Sequence, residues 1–284
     1  MKKIVAALAL GAIVASVGAS IGGMAEAKDW KKIRIATEGA YAPWNATDPS
    51  GKLVGFEPDL AMALCKTMKA ECEIVAQDWD GMIPALQQGK YDAIMAAMSV
   101  TDEREKVITF AGPYGSEPSM FGTMKSSPLT KVAYGAERVD LSKDDPAGKA
   151  AIEKLGDALK GKTVGVQTST IQANFMEKYL PKVAVRTYDK LDNAGIDLAA
   201  GRVDAIFGDR SAVDAIIKSD SGKDMTLVAP AFSRGVLGKG VGVGLRKADA
   251  DLKELFNKAI AEANKDGTIT KLSTQHFGYD ISIK

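Results

Sequence analysis

The sequence predicts an α/β protein of two similar lobes, each a mostly parallel sheet flanked by helices. Three observations predict it. Helical runs alternate with short β-rich runs along most of the chain, an order that joins parallel strands through crossover helices. The phrase Leu86-Gln-Gln-Gly-Lys-Tyr-Asp-Ala-Ile94 returns as Leu198-Ala-Ala-Gly-Arg-Val-Asp-Ala-Ile206. Each copy reads as a helix end, a glycine that stops it, a charged turn residue and a buried strand. Between the two series lies Pro113-Tyr-Gly-Ser-Glu-Pro118, an extended crossover. Two lobes leave a cleft, and a cleft suits a small molecule. The plainer explanation of the repeat is chance recurrence of Gly-x-x-Asp-Ala.

The chain opens with Met1-Lys2-Lys3, an apolar stretch from Ile4 to about Val17, and small residues at Ala25 and Ala27. That order reads as a secretory signal peptide over residues 1–27, cleaved after Ala27, with Ala25 as a second candidate. A membrane anchor competes, since about 18 apolar residues can span a bilayer. Gly11, Ser16, Gly18, Ser20, Gly22 and Gly23 dilute the stretch, and no nearby cysteine indicates a lipid anchor. The expected destination is outside the cytoplasm.

Residues 33–37 read as a strand, 38–56 as a loop and 58–68 as a helix. Residues 72–77 follow as a strand, 79–88 as a helix, 91–95 as a strand, and 99–106 as a loop with a short helix. Residues 125–160 are polar, carry Ser-Ser-Pro and Lys-Asp-Asp-Pro turns, and read as a surface insertion holding a helix at 146–159. The alternation restarts with strands at 163–166, 184–188 and 205–208, and helices at 170–179, 192–200 and 210–218. Residues 235–244 form a glycine-rich return. Leu252, Leu255, Phe256, Ala259, Ile260 and Ala263 share one face of a helix over 249–266, which Gly267 stops. A crossing near 115–118 and a return near 232–237 place residues 28–116 and 235–284 in one lobe and 117–234 in the other, joined by a two-strand hinge.

The formal net charge is +1, so the chain has no nucleic-acid or membrane-surface footprint. Its two cysteines, Cys65 and Cys72, form neither a Cys-x-x-Cys motif nor a zinc set. On one helix they would stand about 10 Å apart along the axis, beyond the roughly 7 Å a disulfide allows. If the helix ends near Lys69-Ala70 and the chain doubles back, a disulfide clips the helix to the next strand, as an exported location permits. Two free buried thiols are the other reading.

Ligands of open α/β sheets bind beyond the carboxyl ends of the strands. The predicted strand ends offer Glu38, Tyr41, Trp79, Ser99, Thr101, Arg104, Ser169, Thr170 and Asp209. This set matches a zwitterion. Arg104 is suited to grip a carboxylate through two parallel hydrogen bonds, and Thr170 at a helix N-terminus adds backbone donors for the same anion. Asp209 suits an α-ammonium, Tyr41 and Trp79 a flat or cationic side chain, and Glu38 its positive tip. Singly, each has a duller reading: Arg104 a solvated helix charge, Thr101, Thr170 and Asp209 helix caps, Trp79 core. Their joint placement favours a site. His276 is the single histidine and reads as structural; no catalytic triad, metal set or cofactor fingerprint can be built around it. Asn45-Ala-Thr47 is a formal glycosylation sequon with no other support.

Those residues lie in phrases that resemble the periplasmic solute-binding proteins of polar amino-acid ABC importers, the family 3 extracellular solute-binding proteins. The likeness is nearest to the lysine/arginine/ornithine-, histidine- and opine-binding members. The phrases are Glu38-Gly-Ala-Tyr-Ala-Pro-Trp44, Gly55-Phe-Glu-Pro-Asp-Leu60, Asp80-Gly-Met-Ile-Pro-Ala-Leu86, Gly89-Lys-Tyr-Asp-Ala-Ile94, Ser99-Val-Thr-Asp-Glu-Arg104, Gly201-Arg-Val-Asp-Ala205, Gly240-Val-Gly-Val-Gly-Leu-Arg246 and Asp266-Gly-Thr268. The Cys65/Cys72 pair also resembles a disulfide of that cationic subgroup. The resemblance implies that Arg104 and backbone amides near Ser99 and Thr170 hold an α-carboxylate, and that Asp209, Ser99 and the Ala97 carbonyl hold an α-ammonium. By the same resemblance Tyr41 and Trp79 stack the side chain and Glu38 receives its charge. The chain departs from the pattern at Ala96-Ala97-Met98-Ser99, where relatives carry Ser-Ser-x-Ser, at Glu38, where they carry Asp, and at Ile171, where a glutamine is frequent.

The leading expectation is therefore a monomeric periplasmic receptor that closes on a cationic amino acid or arginine-derived opine and presents it to an inner-membrane ABC permease. It needs no cofactor or metal. The alternative is a dehydratase on the same fold with Glu38 as general acid. A sensor that reports to a membrane receptor has the same sequence signature.

Overall fold

The computed structural model describes residues 28–283; the leader read at 1–27 lies outside the described residues. Its elements in chain order begin with β1 (Lys32–Thr37), β2 (Ala40–Tyr41), β3 (Asn45–Thr47), β4 (Leu53–Val54), α1 (Phe56–Met68), β5 (Glu71–Ala76), α2 (Met82–Gln87), β6 (Ala93–Ile94), α3 (Asp102–Glu105) and β7 (Thr109–Gly115). They continue with β8 (Ser119–Met124), β9 (Arg138–Asp140), α4 (Pro146–Ala158), β10 (Thr163–Gln167), α5 (Ile171–Tyr179), β11 (Ala184–Tyr188), α6 (Leu191–Ala199), β12 (Ala205–Asp209), α7 (Arg210–Lys218) and β13 (Met225–Ser233). The last three are β14 (Val241–Leu245), α8 (Ala250–Lys265) and α9 (Thr268–Phe277).

The strands form two main sheets of matching order, β5-β1-β6-β14-β7 and β11-β10-β12-β8-β13-β9. In each, the first three strands run parallel, and the next two pair antiparallel. The sheets are thus mixed. The antiparallel pairs are the strands flanking the crossings, since β7 leads into β8 and β13 into β14. A chain that leaves one sheet and enters the other through a few extended residues needs no crossover helix, so its strands need not run with the rest.

The repeated phrase has a physical reason. Gly89 and Gly201 both take positive φ, 75° and 69°, just past a helix end. Asp92 then exchanges two bonds with the first strand of its sheet: its N–H donates to the Arg34 carbonyl, and its carboxylate accepts the Arg34 N–H at 3.0 Å. Asp204 does the same with Thr163, its carboxylate accepting at 2.8 Å. In each sheet the aspartate closes the backbone ladder between a strand start and its neighbour.

The segment read as a loop over 38–56 carries the small antiparallel sheet β2-β3-β4. Those strands have only two or three residues each, too few for an alternating pattern to register. Trp44 and Phe56 at its base are fully buried and meet edge-on at 5.7 Å. The second sheet is built on phenylalanines: Phe121 stacks on Phe207 at 4.1 Å, and Phe175 and Phe232 close around them. Each such pair contributes about 0.5–1.5 kcal/mol beyond its buried area.

The insertion at 125–160 adds β9, which pairs parallel to β13, and α4, whose N-terminus Asp145 caps by accepting from Ala147 and Gly148. Cys65 and Cys72 are disulfide-bonded with Cα atoms 6.2 Å apart, at the carboxyl end of α1 and the start of β5. Lys69, in the left-handed region, makes the reversal between them. His276 Nε2 stands 2.8 Å from the Asp59 carboxylate, tying α9 to α1. Asn45 is fully buried, so its sequon is closed to modification. No helix among the described residues is long and apolar enough to cross a membrane.

Candidate functional site

Four strands of the two sheets, β1, β6, β10 and β12, end at one gap. Its cavity volume is about 20 Å³, and about 300 Å³ when the open solvent space it borders is included. Its walls include Glu38 after β1, Ala97 and Ser99 after β6, Arg104 on α3, Gln167 at the end of β10, Thr170 just beyond it, and Asp209 at the end of β12.

The gap contains one cation and two anions. Arg104 is fixed by α3. Thr101 caps that helix, its hydroxyl accepting the Arg104 N–H at 3.2 Å, and the guanidinium donates to the Ser99 carbonyl at 2.9 Å. It also lies against the Trp79 ring, 5.2 Å from the centroid. Burial lowers its pKa to about 10, and Asp209 pulls the other way. Asp209 is 6% exposed. Its carboxylate accepts from Gln172 Nε2 at 2.9 Å and from the Ser119 hydroxyl at 3.3 Å. Burial, reinforced by the Glu117 charge, still lifts it to about 7. Glu38, 8% exposed, accepts from Gln167 Nε2 at 2.7 Å and is pushed to about 7 by burial. Both carboxylates therefore lack a full complement of positive charge.

The two lobes meet around the gap. Gln167 bonds Glu38; the Trp79 indole donates to the Thr168 carbonyl at 3.1 Å; the Ser169 hydroxyl donates to Asp80 at 2.6 Å; and the Asp209 N–H donates to the Tyr41 hydroxyl at 3.1 Å. Ala97 and Ser169 both sit at positive φ, 50° and 55°, which is uncommon without a glycine.

Of the residues read from the sequence, Glu38, Tyr41, Trp79, Ala97, Ser99, Arg104, Thr170 and Asp209 line the gap. Thr101 and Ser169 do not. Thr101 spends its hydroxyl on the cap of α3, and Ser169 spends its own on Asp80. The aromatic pair also differs from a free sandwich, since Trp79 already lies on Arg104 and Tyr41 accepts from Asp209. Sequence reasoning missed Gln167 and Gln172, which hold the two carboxylates. The available signal was polar: a glutamine ending the apolar run of β10, and another at the second residue of α5. No group of three or more His, Cys, Asp or Glu among the described residues is placed to hold a metal ion.

Comparison with known proteins matches residues 33–279 to a family of bacterial extracellular solute-binding proteins, family 3. The chain is 43% identical over 284 positions to an octopine-binding periplasmic protein of Rhizobium meliloti, covering 92% of this chain and 95% of that one. It is 36% identical to a histidine-binding periplasmic protein of Salmonella typhimurium, covering 99% of both. Among solved structures, an ancestral arginine-binding protein bound to glutamine superposes with a TM-score of 0.73 at 32% identity, over 87% of this chain and 98% of that one.

Proposed function

The chain belongs to the bacterial extracellular solute-binding proteins, family 3, and from that premise we propose how its gap selects a ligand. It is a periplasmic solute-binding protein of the ABC-importer type, a binder rather than an enzyme, as its relatives are. The ligand is a cationic amino acid, held as a zwitterion with a charged tip. Arg104 and the amides at the start of α5 take the α-carboxylate. Asp209, Ser99 and the Ala97 carbonyl take the α-ammonium. Glu38 takes the tip, and Tyr41 and Trp79 flank the stem.

One observation carries this reading. The gap presents one positive and two negative groups, the mirror of a ligand with two positive groups and one negative. Neutralising both raised carboxylates while pairing Arg104 leaves no buried charge uncompensated. A neutral amino acid leaves Glu38 with its Gln167 donor and no cationic partner.

An arginine-derived opine is the second reading, favoured by the octopine-binding relative. Its extra carboxylate needs a further cation. Arg234 supplies one, in a second gap that shares Ser99 and Asp209 with the first.

The lobes we assign are 28–116 with 235–284, and 117–234, with residues 1–27 removed on export. Closure on a ligand that touches both is a population shift, and the closed form engages an inner-membrane permease as a monomer. A thermal-shift panel of amino acids and opines tests the reading. A ligand at about 100 times its Kd adds roughly 2.7 kcal/mol of stability. We expect arginine, lysine, ornithine or histidine, or an opine, to give that shift and Arg104→Ala to abolish it; an equal shift in that variant defeats the assignment.

A further inference from the structure

Glu57 is a fully buried carboxylate that does not itself line the gap. It stands in the first turn of α1, and its partners are unusual. One oxygen accepts the Ala97 N–H at 2.6 Å and also the Tyr114 hydroxyl; the other accepts Asn45 Nδ2 at 2.7 Å. Asn45 in turn accepts the Gly39 N–H at 2.8 Å through its own Oδ1. The chain of bonds therefore runs from the backbone beside Glu38 to the backbone of Ala97. These are the two loops that carry opposite ends of the proposed ligand bed.

The geometry points to Glu57 as a positioning residue: through Asn45 and Ala97 it sets the distance between the side-chain end and the α-ammonium end of the site. This rests on the reading given under Proposed function. Two features support it. Ala97 holds a left-handed backbone, φ 50°, in which its side chain is strained, and the bond from its N–H to Glu57 is what opposes relaxation. Tyr114 lies at the end of β7, just before the crossing to the other lobe, so the same carboxylate also grips the hinge strand. No cation stands among these partners; burial pushes the Glu57 carboxyl up, and three donors oppose that shift.

The donor pattern gives a sharp test. Glu57→Gln keeps the shape but replaces one acceptor with a donor. That donor meets either the Asn45 amide or the Ala97 N–H, and turning the Asn45 amide over instead sets its NH2 against the Gly39 N–H. The paired variant Asn45→Asp/Glu57→Gln moves the carboxylate and restores every bond. The carboxylate at position 45 accepts from Gly39 and from the amide at position 57, whose carbonyl accepts from Ala97 and Tyr114.

Kd for L-arginine is measured by calorimetry on each form at a temperature where circular dichroism shows it native, beside the melting midpoint without ligand. We expect Glu57→Gln to weaken binding by about tenfold or more, the loss of a hydrogen bond to a charged group, and the pair to return to within about threefold of the parent. A merely structural role lowers the midpoint and leaves Kd unchanged; that result overturns the inference, as does a pair that fails to fold or to recover. If the unaltered protein binds no cationic amino acid, the functional reading fails instead.

Discussion

Lowering the pH should release the ligand, and the size of the effect follows from two carboxylates. Asp209 and Glu38 sit at about 7 because burial disfavours their charge. Each must ionise to receive a cation, and the bound cation then draws its pKa down. At pH 8 both are mostly ionised already. At pH 6 each is about nine-tenths protonated, which weakens binding by about tenfold per group, or about a hundredfold if both must ionise. The sign for stability is the reverse in the empty protein. With folded pKa values above the ordinary carboxylate range, it gains stability as pH falls from about 7 and loses it as pH rises through that value. The gap in melting midpoint between loaded and empty protein should therefore narrow towards pH 5. Calorimetric titration with L-arginine at pH 6, 7 and 8, in two buffers of different ionisation enthalpy, reads both affinity and protons released. Release of one to two protons at pH 6 and almost none at pH 8 is expected, with Asp209→Asn removing about one of them. A Kd flat from pH 6 to 8 with no proton release would refute the reasoning.

Glu38→Gln removes the charge that faces the ligand tip, and should weaken L-arginine by about 1.5–3 kcal/mol while costing L-glutamine far less; equal losses for the two by calorimetry would remove Glu38 from that role. Cys65→Ser/Cys72→Ser opens a loop of sequence separation 7 and should cost about 2.5 kcal/mol of stability by the chain-entropy relation. Arginine affinity should be unchanged, because the bridge lies at the amino end of β5 and the gap at the carboxyl ends. Denaturant midpoints and calorimetry on the same variant read both, and a changed Kd would show that the bridge couples to the site.

The repeated helix-to-strand phrase revealed two similar lobes because its requirements are local. A helix stop needs a left-handed residue, and a buried strand needs an apolar run. What the phrase concealed was the work of Asp92 and Asp204, which accept N–H groups from strands distant in the chain. The charges of the candidate site were legible for the same reason: Glu38 follows β1, Asp209 ends β12 and Arg104 sits on the short helix after β6, and strand ends can be counted along a sequence. Gln167 and Gln172 were not, since a glutamine has no pattern that separates a surface position from one aimed at a carboxylate. Thr101 and Ser169 were drawn into the site by proximity in sequence, yet each hydroxyl is consumed by a neighbour. The sheet β2-β3-β4 escaped because its strands are too short to alternate, and Glu57 because its partners come from three separate segments.

We propose that one cleft charge, Arg104, and two of opposite sign, Asp209 and Glu38, together hold a single cationic amino acid. A crystal structure of the protein grown with L-arginine tests it most directly. Ligand density is expected in the gap, with its carboxylate on the Arg104 guanidinium, its α-ammonium on Asp209 and its guanidinium within hydrogen-bond reach of Glu38. Density with the carboxylate towards Glu38, or an arginine seated away from these three side chains, would contradict it.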